Sequence, residues 1–291
     1  MSKYIITADW HIRDDKPRCR KDTDWYETQR KKIKWVVDLS NSEKCSIIVA
    51  GDILHRGTNS QLLENMLLEE LRRAEYDIFA IPGNHDLPYH SMKQMHKSTF
   101  KVLLNAGVLM FIPTNKVDNV HFFGFDENIP RDIHADILVL HTLVLPNGAA
   151  MPFIEAPTAQ ELLSRYPNAK TIITGDNHTP FIAKDKERML INPGSLIRQT
   201  ADQIEHEPRV YIYENGNVSA AYLPVEKGVV VNEYILTEKQ RDDRINTFVE
   251  TMKSRTEGFG LSFEDNMETA MQREKLPREV VRIIQEAMEV V

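Results

Sequence analysis

Asp77-Ile78-Phe79-Ala80-Ile81-Pro82-Gly83-Asn84-His85-Asp86 passes from a short apolar run directly into an amide, an imidazole and a carboxylate. The apolar half, Asp77 to Ile81, reads as a buried strand, and the polar half stands at its end. A carboxylate and an imidazole beside an apolar core are costly unless they bond to something, so Gly83 to Asp86 points to a site rather than a plain turn. The same pattern recurs outward from it. Tyr4 to Ala8 ends in Asp9-Trp10-His11, and Ser46 to Ala50 ends in Gly51-Asp52-Ile53-Leu54-His55. Ile137 to Leu140 ends in His141, and Thr171 to Thr174 in Gly175-Asp176-Asn177-His178. Singly these are weak signals: Gly-Asp is often a turn, and a lone histidine is more often satisfied in the core than a ligand. Together, five strand ends supply carboxylates, imidazoles and an amide, a mixture suited to two hard-to-borderline divalent cations.

Between these strands lie helical patterns. Trp25 to Leu39 carries Ile33, Val36 and Val37 on one face, Gln61 to Ala74 is a second helix, and Thr158 with Glu161 forms a capping box. Strand and helix in alternation predict an α/β layered fold with its site at the strand ends. Arg209 to Tyr213 and Val218 to Tyr222 flank Asn215-Gly216, a hairpin signal. After Gly228 come three helical patterns, 238–253, 263–274 and 278–290, the last opened by Pro277. A boundary near Gly228 therefore separates a main body, 1–228, from a small, mostly helical C-terminal appendage, 229–291.

The chain of 291 residues, 42% hydrophobic and 27% charged, has the make-up of a globular protein rather than a disordered or fibrous one. Cys19 and Cys45 lack both a disulfide framework and metal-ligand spacing. No stretch approaches the ~20 apolar residues that span a bilayer, and the start lacks the plan of a signal peptide. A cytoplasmic protein without membrane contact is expected. The net charge of −7 would speak against a polyanionic partner if charge were spread evenly. It is not: residues 1 to 34 hold ten Lys/Arg against six acidic residues.

The ordered set of strand-end motifs resembles the calcineurin-like metallophosphoesterases, and within them the SbcD-type DNA repair nucleases, over roughly residues 3 to 225. That resemblance implies a four-layer α/β/β/α sandwich holding a binuclear centre, with two divalent cations, manganese or magnesium. Asp9, His11 and His178 match ligands of the first metal, Asp52 the bridging carboxylate, and Asn84 and His141 ligands of the second. His85 matches the catalytic residue beside the leaving oxygen, and Asp86 its orienting partner. Two cations sharing Asp52 and a water would lower that water's pKa and neutralise the phosphate oxygens. One position departs from the pattern. The last motif of the family is usually Gly-His-x-His, and here Asp176 stands for the first imidazole. Asp176 binds the second metal and makes that site harder, or the second metal is weak and arrives with substrate, or the site is degenerate.

The surroundings bear on the substrate. His55 stands where the repair nucleases often place a histidine facing the phosphate backbone, while Arg56-Gly57 echoes the phosphatase pattern Gly-Asp-x-x-Asp-Arg-Gly. Asn192-Pro193-Gly194-Ser195 resembles the nuclease pattern and would bring Ser195 to the site. Arg18, Arg20 and Lys21 belong to a basic loop, with Trp25 and Tyr26 nearby, that would track a nucleic-acid backbone. Helix Arg30 to Lys34 offers the plain alternative, a solvated face. The leading expectation is a DNA exo- or endonuclease of repair or recombination. The others are a phosphoesterase acting on a cyclic nucleotide or phosphoprotein, and a non-catalytic DNA-binding subunit. The resemblance implies an SbcC-type ATPase partner and a homodimer. The appendage is too short for a full cap and a separate docking module.

Overall fold

The computed structural model describes residues 3–112, 119–149 and 156–231, with Met271, Pro277 and 279–282. The chain divides into two compact units, Met1–Asn232 and Glu233–Val291. The three C-terminal helical patterns fall almost wholly outside the described residues.

Among the described residues, ten strands form two five-stranded sheets. The first holds β1 (Lys3–Thr7), β2 (Ser46–Val49), β3 (Ile78–Ala80), β9 (Arg209–Glu214) and β10 (Asn217–Tyr222), in the order β10-β9-β1-β2-β3. Its parallel core pairs Ile5 with Ile47 and Ile47 with Ile78. The second sheet holds β4 (Val120–Phe123), β5 (Ala135–His141), β6 (Ala169–Gly175), β7 (Phe181–Asp185) and β8 (Arg188–Asn192), in the order β4-β5-β6-β8-β7.

Because successive side chains alternate across a strand, each sheet has two apolar faces to cover. Ile6, Ile48 and Phe79 of the first sheet meet Phe122, Val139, Ile173 and Ile191 of the second in one cluster between the sheets. Ile5, Ile47 and Val49 point outward onto α1 (Trp25–Glu43) and α2 (Gln61–Leu71), where Ile33, Val36, Leu63 and Leu67 are buried. Leu138, Leu140, Ile172 and Leu190 point outward from the other sheet onto Leu162 and Leu163 of α4 (Ala159–Arg165). Helix, sheet, sheet and helix thus make the four layers that the family resemblance implies. A shorter helix, α3 (Thr99–Asn105), adds Phe100 and Leu103 to the first outer cluster.

Local chemistry sets the element ends. The Asp24 side chain accepts from the Glu27 amide at the start of α1, Ser60 caps α2 through Leu63, and Thr158 and Glu161 form the expected capping box on α4. The β9–β10 hairpin turns at Asn215 (φ 50°) and Gly216 (φ 87°), the positive angles a two-residue turn requires. Among the described residues no helix is long and apolar enough to cross a membrane.

Candidate metal centre

β1, β2, β5 and β6 run parallel within their sheets, and their C-terminal ends carry the polar residues. The backbone turns sharply there. Asp9 (φ 50°), His11 (φ 46°), Asp52 (φ 53°) and Asp176 (φ 76°) are all left-handed without being glycine. Such conformations cost about 1–3 kcal/mol each and persist where surrounding structure enforces them. Here the enforcement is visible. Amides of Asp9 and His11 donate to Gly51 and Asp52 carbonyls at 3.0 and 2.9 Å, and the Asp176 amide donates to both Asp9 carboxylate oxygens at 3.0 and 3.1 Å.

The carboxylate of Asp52 occupies the middle. Its Oδ1 accepts from the His85 amide at 2.9 Å. Its Oδ2 is buried with no hydrogen-bond partner, 3.7 Å from His11 Nε2 and 3.4 Å from His141 Nε2. On one side, His11 Nε2 faces His178 Nε2 at 3.0 Å, with Asp9 in the same group. On the other, His141 Nε2 lies 3.0 Å from Asn84 Oδ1 and 4.0 Å from Asp176 Oδ1. The His141 ring donates Nδ1–H to the Ala50 carbonyl at 2.8 Å, which leaves Nε2 to present its lone pair. Two imidazole nitrogens turned toward each other, and a buried carboxylate oxygen without a donor, fit divalent cations on either side of Asp52.

The titration of these groups reflects the same crowding. Burial pushes the Asp9 carboxyl well up and the His11 imidazole well down. Burial would also lower His141, but the Asp52 carboxylate outweighs it and carries the ring to about 10. Without a cation, a proton on His141 supplies the positive charge that this acidic pocket requires.

Glycines make the approach possible. A Cβ on Gly83 would meet Asp52 Oδ1 at 2.2 Å, and one on Gly175 would meet the Ala50 carbonyl oxygen at 2.2 Å. The structure also gives roles that the sequence reading did not assign. His90 Nδ1 bonds the Asn84 carbonyl at 2.9 Å, and its ring stands edge-on to His85 at 5.5 Å. Gln199 donates to the carbonyls of Trp10 and His11 at 3.1 and 2.8 Å. Asn192 donates to Asn177 and Thr179 carbonyls at 2.6 and 2.8 Å, bracing the loop around His178. His90 and Gln199 stand away from the strand ends that singled out the others, and Asn192 enters the sequence reading only as part of the turn before Ser195.

Three expectations need correction. Asp86 does not orient the His85 ring: its two oxygens accept from the Leu54 and Gly83 amides at 2.8 and 2.9 Å, so it ties two site loops together. The His85 ring instead bonds through Nδ1 to the His55 carbonyl at 3.0 Å. Ser195 is buried and its hydroxyl accepts from Gln203 Nε2 at 2.8 Å, so the side chain faces inward rather than toward substrate. Arg20 is not on a solvent-facing track. It is 6% exposed, forms two 2.7 Å bonds to the Asp22 carboxylate, and stacks over Trp25. Its charge was drawn into the fold by a buried partner two residues away. Arg18 and Lys21 are exposed. Arg56 is 68% exposed and 3.9 Å from Asp15. His55 stacks on His85 with centroids 5.3 Å apart, and burial with nearby Arg13 and His85 lowers its pKa to about 4.

A family model described as calcineurin-like phosphoesterase matches residues 2–180, which include every one of the candidate ligand positions. The chain belongs to the calcineurin-like phosphoesterases. No curated protein matches it by sequence. Among solved structures it is similar to a dimetal phosphatase from Danio rerio, at 13% identity over 79% of this chain and 99% of that one, with a TM-score of 0.46. An archaeal protein described as a phosphodiesterase matches at 14% identity over 76% and 99%, TM-score 0.42. The TT1561 protein of Thermus thermophilus matches at 11% over 76% and 98%, TM-score 0.48. At these identities the likeness says nothing about substrate.

Proposed function

We propose that this phosphoesterase is a manganese-dependent DNA nuclease of the SbcD kind. The observation that carries the reading is the His55–His85 stack beside the Asp52 centre. With a pKa near 4, His55 is uncharged at neutral pH, so its ring N–H can donate a hydrogen bond to a phosphodiester oxygen without repelling it as a carboxylate would. Tyr89, 89% exposed and adjacent to His90, supplies a ring on which a nucleobase could stack at the rim.

Asp9, His11, His178 and Asp52 would hold one cation, and Asp52, Asn84, His141 and Asp176 the other. Bound cations supply charge neutralisation at the phosphate and an acidified water. The chain's own part is positional and protonic. The His55 carbonyl receives Nδ1–H of His85, which fixes the ring and leaves Nε2 as the atom that would carry a proton to the departing oxygen. Asp86 keeps the Leu54 and Gly83 loops in register so that Asp52 and Asn84 stay aligned. DNA, an SbcC-type ATPase and a second copy of the chain are the partners this reading calls for.

One observation favours a smaller substrate. A cavity of about 410 Å³ lies beside His141 and Asp176, walled by Phe125, Thr142 and Tyr166, and would receive a nucleotide-sized group. The test is to incubate the protein with manganese and labelled single- and double-stranded DNA, a cyclic nucleotide and bis-p-nitrophenyl phosphate, alongside His85→Ala. DNA cleavage reduced roughly 10²–10⁴-fold by the substitution supports the nuclease. Hydrolysis of the small esters with DNA left intact replaces it with the second reading, and silence on all substrates refutes both.

A further inference from the structure

A second cavity, of about 240 Å³, lies between α1 and the segments flanking the β9–β10 hairpin. Trp35, Ile197 and Val225 give it an apolar lining, and Arg20, Lys31, Lys32 and Arg198 give it charge. Glu226 is the acidic side chain in this lining. Counting Asp22 against Arg20 and Glu205 near Arg198 as well, the cations still exceed the anions by one.

The excess is held under constraint. Arg20 is 6% and Arg198 9% exposed, so neither can swing out to water. Arg198 is fixed by bonds to the Ile204 and Glu226 carbonyls, both at 2.8 Å. Lys32 is half-buried and donates to the Pro224 carbonyl, with two of its three N–H groups left for another acceptor. Burial and the neighbouring Arg20 lower the Lys32 pKa to about 8. Like charges gathered in a partly desolvated space repel, and an anion among them removes that cost.

We propose that this cavity binds a phosphomonoester carried on an aromatic body, with the phosphate among Arg20, Lys32 and Arg198 and the ring against Trp35. A nucleoside monophosphate has that chemistry, whether free or as the 5′-phosphorylated end of a strand. The cavity's electrostatics are independent of whether the metal centre cuts DNA. The site is nevertheless wired to that centre. Arg20 Nη1 donates to the Arg198 carbonyl at 3.2 Å, and the next residue, Gln199, clamps the Trp10 and His11 carbonyls.

The experiment uses the full chain in a chelator, which silences the metal centre. Titration calorimetry and Trp fluorescence follow binding of deoxyadenosine monophosphate, deoxyadenosine, inorganic phosphate, and short oligonucleotides with and without a 5′ phosphate. The monophosphate binds, and deoxyadenosine and inorganic phosphate each bind at least tenfold more weakly. Lys32→Met weakens the monophosphate at least tenfold and leaves manganese-dependent hydrolysis of bis-p-nitrophenyl phosphate unchanged. Val225→Glu, at a position 42% exposed and so tolerant of charge, weakens it too if Lys32→Met fails to fold. Displacement by the 5′-phosphorylated but not the 5′-hydroxyl oligonucleotide supports the strand end as the source, and no displacement supports the free nucleotide. No binding of the monophosphate, or equal binding by the variants, overturns the site.

Discussion

Replacing Gly175 by alanine adds one methyl group at the point where β6 passes the end of β2. The new Cβ would stand 2.2 Å from the Ala50 carbonyl oxygen and 2.8 Å from His141 Nδ1. Real contacts of this kind do not fall below about 3 Å, so the carbonyl must retreat by roughly 0.8 Å. That carbonyl holds the His141 Nδ1–H at 2.8 Å, and a retreat of this size stretches the bond past its useful range. Two costs follow. Overpacking a close-fitted position costs about 1–3 kcal/mol of stability. Losing the partner that orients a ligating imidazole typically costs about 10–100-fold in metal affinity. Because His141 lies on the Asn84 side of Asp52, the loss falls on the second cation while the Asp9–His11–His178 side is spared. Manganese titration followed by calorimetry, with thermal melts in chelator, reads both. Two sites of wild-type affinity and an unchanged melt in Gly175→Ala would refute the assignment of His141 and its Ala50 partner.

Three further outcomes follow from where the basic side chains lie. Arg20→Met strands the Asp22 carboxylate, 5% exposed, without its guanidinium, and should cost about 3–5 kcal/mol, a fall of roughly ten degrees in Tm; Arg18→Glu with Lys21→Glu should leave Tm nearly unchanged yet weaken DNA binding and flatten its salt dependence. For Lys32, a folded pKa of about 8 against about 10.4 in the unfolded chain means that the unfolded state holds more protons across that window. Wild-type stability relative to Lys32→Met therefore rises as pH climbs from about 8 to 10 and is lost as pH falls through 8. Denaturant melts at several pH values check this, and a gap that moves the other way contradicts the burial of Lys32.

The layers were readable because β1, β2, β5 and β6 are buried on both faces and therefore appear as unbroken apolar runs. Of the strands that went unread, β8 meets that condition with only Met189-Leu190-Ile191 as its apolar run, and the other two fail it. β7 alternates Phe181, Ala183 with the exposed Ile182 and Lys184 as an edge strand, and β4 is only Val120-His121-Phe122-Phe123. Helix ends followed their caps, yet α1 ran on to Glu43 because Lys44 takes the left-handed stop that Leu39 does not mark. Charge was the least legible property. Arg18, Arg20 and Lys21 are neighbours in sequence, but only the middle one has Asp22 and Trp25 arranged to receive it indoors.

The site was legible by residue type and not by partner. Asp86 sits beside His85 in the chain, so adjacency suggested that one oriented the other, while in space the carboxylate reaches Leu54 and Gly83. Asp176 shows why substitution within a motif need not abolish the site. Its backbone N–H bridges both oxygens of Asp9, a role blind to the side chain, and its Oδ1 lies 4.0 Å from His141 Nε2. The group around that side then offers oxygens from Asp52, Asn84 and Asp176 against one nitrogen from His141. A donor set of that kind, three oxygens to one nitrogen with two of the oxygens anionic, would favour a hard cation over zinc.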